Sequence, residues 1–166
     1  MFLNWRRAKS FIMSILALDP SGTTETGYFL FRSSQDWIIG TITGKTAVEQ
    51  SKNLNNLLKK ERPQNLVWET SFWWKTNKAQ KDLQELVYFN GIILYLADIN
   101  NISGHKILNN EIQRVIKYYD GEIGGLVVED KKWYFQKQPL TIHQRDALLV
   151  FFVYWTIKLK RPWPWI

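Results

Sequence analysis

The hydrophobic pattern changes period several times along the chain, and each change marks an element. Residues 14–18, SILAL, form a compact apolar run that stops on Asp19. Two further runs, 27–32 and 36–43, follow a loop containing Gly22 and Gly27 and a polar Ser33-Ser34-Gln35 turn. Short runs bounded in this way predict three strands, and connections this short predict an antiparallel meander. From 45 to 60 the period lengthens: Val48, Leu54, Leu57 and Leu58 recur at helical spacing with lysines between them, and Pro63 closes the segment. NLVWE at 65–69 returns to a buried-strand pattern and again ends on a carboxylate, Glu69.

A long helix is predicted from Asn77 to about Asp98, with Leu83, Val87, Leu94 and Ala97 on one stripe and Asn77 and Gln80 placed as a capping box. Gly91 in its middle costs about 1 kcal/mol relative to alanine, which predicts close packing against a neighbour. A strand over 102–107 and a helix over 109–119 follow. Residues 120–138 are the least patterned stretch: three glycines at 121, 124 and 125, then a short hairpin around VVEDKKWYF. Thr141 with Gln144 three residues on announces the last helix, which continues through Ala147, Leu148, Phe151 and Trp155. The KRPWPWI end is too short to be a domain; its aromatic and basic mix could touch DNA, pack on a partner subunit or lie loosely in solvent, with packing favoured slightly. The elements predict one α/β domain over 1–166, a five-stranded mixed sheet with strands one to three antiparallel and helices flanking it. Residues 1–13 are a possible extension, since Met13 directly precedes SILALD, and 157–166 form a tail.

Composition narrows the functional classes. At 166 residues and 45% hydrophobic, the chain supports one core. A net charge of +7 and a pI near 9.6 favour polyanionic partners. The absence of cysteine excludes disulfides, thiolate metal sites and cysteine nucleophiles. The early apolar run is interrupted by Ser14 and ended by Asp19, unlike a signal peptide or a membrane span, so no membrane partner and a cytoplasmic or nucleoid-associated location are expected.

Asp19 and Glu69 end two strands, and His143 and Asp146 lie three apart on one face of the last helix. If the two strands are neighbours, both carboxylates emerge at one edge, where that helix can meet them. Hard oxygen ligands with one imidazole suit Mg2+ or Mn2+, and two such ions about 4 Å apart would clamp an in-line displacement at phosphorus. Taken singly, each residue has a plainer reading as a loop residue, a helix cap or a structural histidine.

DPSGTTETGY, WETSF and HQRDAL, in this order, resemble the RuvC-type Holliday-junction resolvases of the RNase H-like nuclease superfamily, over roughly residues 14–156. The resemblance implies an RNase H-like fold and a metal-dependent endonuclease that resolves four-way junctions or other branched DNA by paired nicks. It implies Asp19, Glu69, His143 and Asp146 as the ligand and catalytic set, with two Mg2+ or Mn2+ ions per site as cofactor, and a homodimer with the Gly91 helix as its interface. Phe72 matches the aromatic position that stacks on opened base pairs, with Trp73 and Trp74 as neighbours able to do the same. Lys75, Lys78, Lys81 and Arg145, and more weakly Lys131 and Lys132, are placed to contact the DNA backbone. Residues 120–138 match nothing in the family pattern.

Three other readings compete: a catalytically silent branched-DNA-binding module, a nuclease acting on RNA/DNA hybrids, and a nucleotide-binding protein. GTITGKT at 40–46 is one residue short of the P-loop spacing, which argues against an NTPase. DPSGTTETG also resembles the phosphate loop of actin-like sugar kinases, but a kinase of that kind needs two such domains.

Overall fold

Strand pairing places the first and fourth strands side by side. The computed structural model describes residues 13–70, 80–118 and 123–165. In it β1 (Ile15–Asp19), β2 (Glu25–Ser33) and β3 (Asp36–Thr43) form the antiparallel meander. After α1 (Ala47–Glu61), β4 (Asn65–Thr70) pairs parallel to β1; after α2 (Gln80–Ile99), β5 (Ser103–Leu108) pairs parallel to β4. The sheet order is β3-β2-β1-β4-β5. Then come α3 (Asn109–Tyr118), a separate three-stranded sheet of β6 (Leu126–Glu129), β7 (Lys132–Phe135) and β8 (Gln138–Leu140), and α4 (Ile142–Val153), which runs into a π-helical turn at Tyr154–Lys158. The five-stranded mixed sheet predicted from the sequence is present.

Side-chain alternation gives the large sheet two cores. Leu16, Leu18, Leu30, Leu66 and Trp68 pack in one cluster with α1 and α2. Ile15, Ala17, Phe29, Phe31 and Val67 pack in the other, around α4. Every residue of α4 from Ala147 to Val153 is buried, as a helix apolar on all sides requires. The tail completes this second core. Trp163 Nε1 donates to the Gly124 carbonyl at 2.8 Å and Trp165 Nε1 to that of Ser34 at 3.2 Å, while both rings pack edge-on or tilted against Phe151. The tail therefore packs on the core of its own chain rather than lying loosely in solvent.

Three expectations need correction. The stripe on α2 is only partly right: Ala97 is buried, but its buried companions are Leu86, Phe89, Asn90, Ile93 and Leu96, whereas Val87 and Leu94 are exposed. This helix is apolar on two faces, so periodicity alone could not say which faces the sheet. Gly91 is exposed, and a Cβ there would meet nothing within 4 Å, so packing within the chain does not require it. The 120–138 region holds more than one hairpin, because a second tight turn adds β8. Both turns, Asp130-Lys131 and Gln136-Lys137, have positive φ at both residues (48° and 63°, 49° and 69°). That is the left-handed backbone of two-residue hairpin loops, here built without the glycine that usually announces it. The proposed cap at Asn77 lies outside the described residues.

α4 reaches the sheet through a notch at Gly27. A Cβ at this residue would stand 1.9 Å from the His143 carbonyl oxygen and 2.6 Å from the Gln144 nitrogen, so the first turn of α4 lies against bare backbone. Gln144 fastens that turn twice. Its Oε1 accepts from the Thr141 N–H at 3.0 Å in a capping box, and its Nε2 donates to Thr41 Oγ1 on β3 at 3.0 Å. Gly27→Ala is expected to cost about 3 kcal/mol through overpacking, a fall of about 6–12 °C in melting temperature for a chain of this size. An unchanged thermal melt would show that α4 is not seated in this way.

Candidate active site

β1 and β4 run parallel in a register that pairs Leu18 with Trp68, so Asp19 and Glu69 are the next residues at the same strand edge. By alternation both belong with Ala17 and Val67, on the face that α4 covers. The capping box at Thr141 starts α4 at this edge and places His143 and Asp146 in its first turns. The result is a contact across 124 residues of sequence: His143 Nδ1 lies 2.7 Å from Asp19 Oδ2. The Asp19 side chain is 14% exposed and that of His143 is 38% exposed, so the pair sits at a solvent edge.

The electrostatics follow from this crowding. Hydrogen bonding to Asp19 holds the His143 imidazole above its ordinary pKa; partial burial opposes the shift, and the charges of Asp19, Asp146 and Glu25 add to it. Burial raises the Asp146 carboxyl above its ordinary value; Arg145 counters this and the nearby Asp19 charge reinforces it. Two carboxylates thus share a confined edge with one imidazole between them in charge. Arg145 donates from Nε to Asp146 Oδ1 at 2.7 Å, and its guanidinium lies 4.9 Å from the Trp133 ring centroid.

Glu69 is placed differently. Its Oε1 accepts a hydrogen bond from Asn109 Nδ2, at the junction of β5 and α3. Among the described residues, no three His, Asp or Glu side chains stand close enough together to hold a metal ion. The donor set itself, three carboxylates and one imidazole, has the hardness that Mg2+ and Mn2+ select. The Asp146 carboxyl is raised chiefly by burial, with the Asp19 charge adding to it, and a cation at this edge would favour its ionised form. The residues therefore suit such an ion in kind and in edge position, while Asp19 and His143 are bonded to each other.

Of the other residues singled out by sequence, Lys81 is exposed in the first turn of α2, and Arg145 is engaged by Asp146 and Trp133. Phe72, Trp73, Trp74, Lys75 and Lys78 lie outside the described residues. Asn109, Gln144 and Trp133 were not singled out for the site. Gln144 was visible only as a cap, and nothing in the sequence ties Asn109 to Glu69 or Trp133 to Arg145. Among the described residues no helix is long and apolar enough to cross a membrane.

No family model and no curated protein matches the sequence. Solved structures do match the fold. A Thermus thermophilus RuvC structure is 14% identical with a TM-score of 0.59, covering 92% of this chain and 99% of that one. The T. thermophilus RuvC in complex with a Holliday junction substrate is 13% identical with a TM-score of 0.57, covering 83% and 89%. The chain therefore has the RuvC-like RNase H fold, as its three motifs imply.

The two histidines of the chain are expected to titrate on opposite sides of the ordinary value near 6.5 in metal-free protein. His143 is raised by Asp19, and His105, whose Nε2 lies 3.0 Å from Ser103 Oγ, is lowered by burial. The His143 contribution to stability is complete below the unfolded pKa and lost as pH rises through the folded one. That of His105 is present above the ordinary value and lost as pH falls through it to the depressed one. NMR titration of the ring protons, assigned with His143→Asn, checks both directions; coincident midpoints would contradict them.

Proposed function

We propose that this protein is a metal-dependent endonuclease that resolves four-way junctions or related branched DNA by paired nicks. The observation that carries the reading is the Asp19–His143 contact, made at the carboxyl edge of β1 on a RuvC-like fold, with Asp146 on the same helix face. The Thermus protein whose fold it shares binds a Holliday junction substrate. A net charge of +7 suits that kind of ligand.

In this reading Asp19, Glu69, His143 and Asp146 hold Mg2+ or Mn2+, two ions per site. When bound, such ions supply charge neutralisation at the phosphodiester and a more acidic water. The chain's own residues set the rest. Asp19 fixes the imidazole of His143 through Nδ1, which leaves Nε2 as the nitrogen able to bind a ligand or take a proton. Both uses need the neutral ring. Lys81 and the segment containing Phe72, Trp73, Trp74, Lys75 and Lys78 supply the phosphate and stacking contacts.

Paired nicks need two sites, and α2 offers a surface for a second copy. Tyr88, Leu94, Tyr95 and Ile99 are all exposed on it, and Val48 of α1 is exposed near its start. A face this apolar on a 20-residue helix suits a homodimer interface. One observation favours the alternative of a silent DNA-binding module: among the described residues, no three ligands stand together.

A synthetic four-way junction with Mg2+ or Mn2+ separates the two readings. Paired nicks are expected, falling to background in Asp19→Asn while junction binding is retained; binding with no cleavage of junction or RNA/DNA hybrid under either metal leaves the module. Cleavage should rise with pH as the His143 imidazole, raised by Asp19 in metal-free protein, gives up its proton to bind the metal. His143→Asp, with an ordinary pKa of about 3.9, should move that rise towards acid, and an unmoved limb would remove His143 from the reaction.

Replacing Tyr88 and Tyr95 together by glutamate should turn a dimer into a monomer in light scattering after gel filtration. Paired nicks should become single ones. A wild type that is already monomeric would end the interface proposal.

A further inference from the structure

The small sheet β6–β8 is the part of the chain that matches no pattern of the resolvase family, yet it touches the candidate site. β8 leads directly into Thr141, the N-cap of α4, and Leu140 of β8 pairs in register with Trp133 of β7. The β7–β8 pairing therefore fixes the Trp133 ring beside the first turns of α4. Arg145 lies across that ring with its Cζ 4.9 Å from the centroid, and both its Nε and its Nη2 meet the same oxygen, Oδ1 of Asp146. The Arg145 and Asp146 side chains are 24% and 26% exposed, so the ion pair is partly shielded.

We propose that Trp133 is a positioning residue: its ring holds the Arg145 guanidinium, which pins Oδ1 of Asp146 and would keep the other carboxyl oxygen available to a divalent cation. This rests on the metal-dependent reading above. Neighbouring residues on a helix do not share a face, so an Arg145–Asp146 pair formed alone would be one rotamer among many. A flat aromatic surface selects that rotamer, because a guanidinium stacks on it without giving up its in-plane donors. The pinned carboxylate also stays beside Asp19, whose like charge would otherwise favour its turning away.

The test compares Trp133→Leu, Trp133→Phe, Arg145→Ala and the Leu/Ala double variant. In metal-free protein, Trp133→Leu should shift the Arg145 Nε–H resonance, and Trp133→Phe should largely restore it. By calorimetry, Trp133→Leu should weaken Mn2+ binding about tenfold, as loss of outer-shell support does. The double variant should bind Mn2+ no more weakly than Arg145→Ala, because Trp133 acts through Arg145. Junction affinity without divalent ions should be unchanged in Trp133→Leu and Trp133→Phe, which remove no charge.

An unaltered Mn2+ affinity in Trp133→Leu or multiplied losses in the double variant would each overturn the proposal. If the wild type binds no Mn2+, the metal-dependent reading fails on its own. The resonance then still decides the clamp, which is overturned if Trp133→Leu leaves it in place.

Discussion

A helix backbone can touch a sheet backbone only where the intervening side chain is missing, and at residue 27 it is missing. Gly27 is the register partner of Asp19. The first turn of α4 therefore comes in directly beside the carboxylate rather than a side chain's thickness above it. From that seat follow the Gln144 bond to Thr41, the reach of His143 to Asp19 and the burial of seven successive residues of α4. Gly22 plays a related part on the other side. Its positive φ of 81° turns the loop after Asp19, and a Cβ there would meet the α2 backbone at 2.8 Å. The two glycines fit the chain around Asp19 from both faces of the sheet.

The charge pattern fits this arrangement. A protein with seven net positive charges gathers Asp19 and Asp146 at one edge, and within the described structure their nearest compensation is His143 on one and Arg145 on the other. Each partner neutralises a carboxylate locally, in a region where desolvation makes unpaired charge expensive. Glu69 takes a neutral donor, Asn109, in addition to its place at the edge. The carboxylates are thus held by groups of different strength: an imidazole that can lose its proton, a guanidinium that cannot, and an amide.

Much of this was legible in the sequence because its strongest signals are local. SILALD, NLVWE and the Thr141–Gln144 box each mark their element within a few residues, and their order gives the parallel pairing of β1 with β4. The site's edge follows from that pairing. What escaped was decided by tertiary partners. α2 is apolar on two faces, and only the sheet selects Phe89 and Ile93 over Val87 and Leu94. The second hairpin turn uses Gln136 and Lys137, residues with no preference for left-handed backbone, so β8 had no announcement. The Trp133–Arg145 and Asn109–Glu69 contacts join elements far apart in topology, and no spacing rule reaches them.

The contact between Asp19 and His143 closes a loop of 124 residues, and this gives the site a place in the order of folding. The meander β1–β3 can form from neighbouring residues, whereas the site waits for the slowest class of event, the docking of an element whose partners lie at the far end of the sequence. A partly folded chain would carry Asp19 on a paired strand and no imidazole opposite it. Any opening that lifts α4 from its notch would separate the two and uncover the core that α4 shares with the meander. The assembled site therefore reports on the final stage of folding, and local order in the first three strands does not guarantee it.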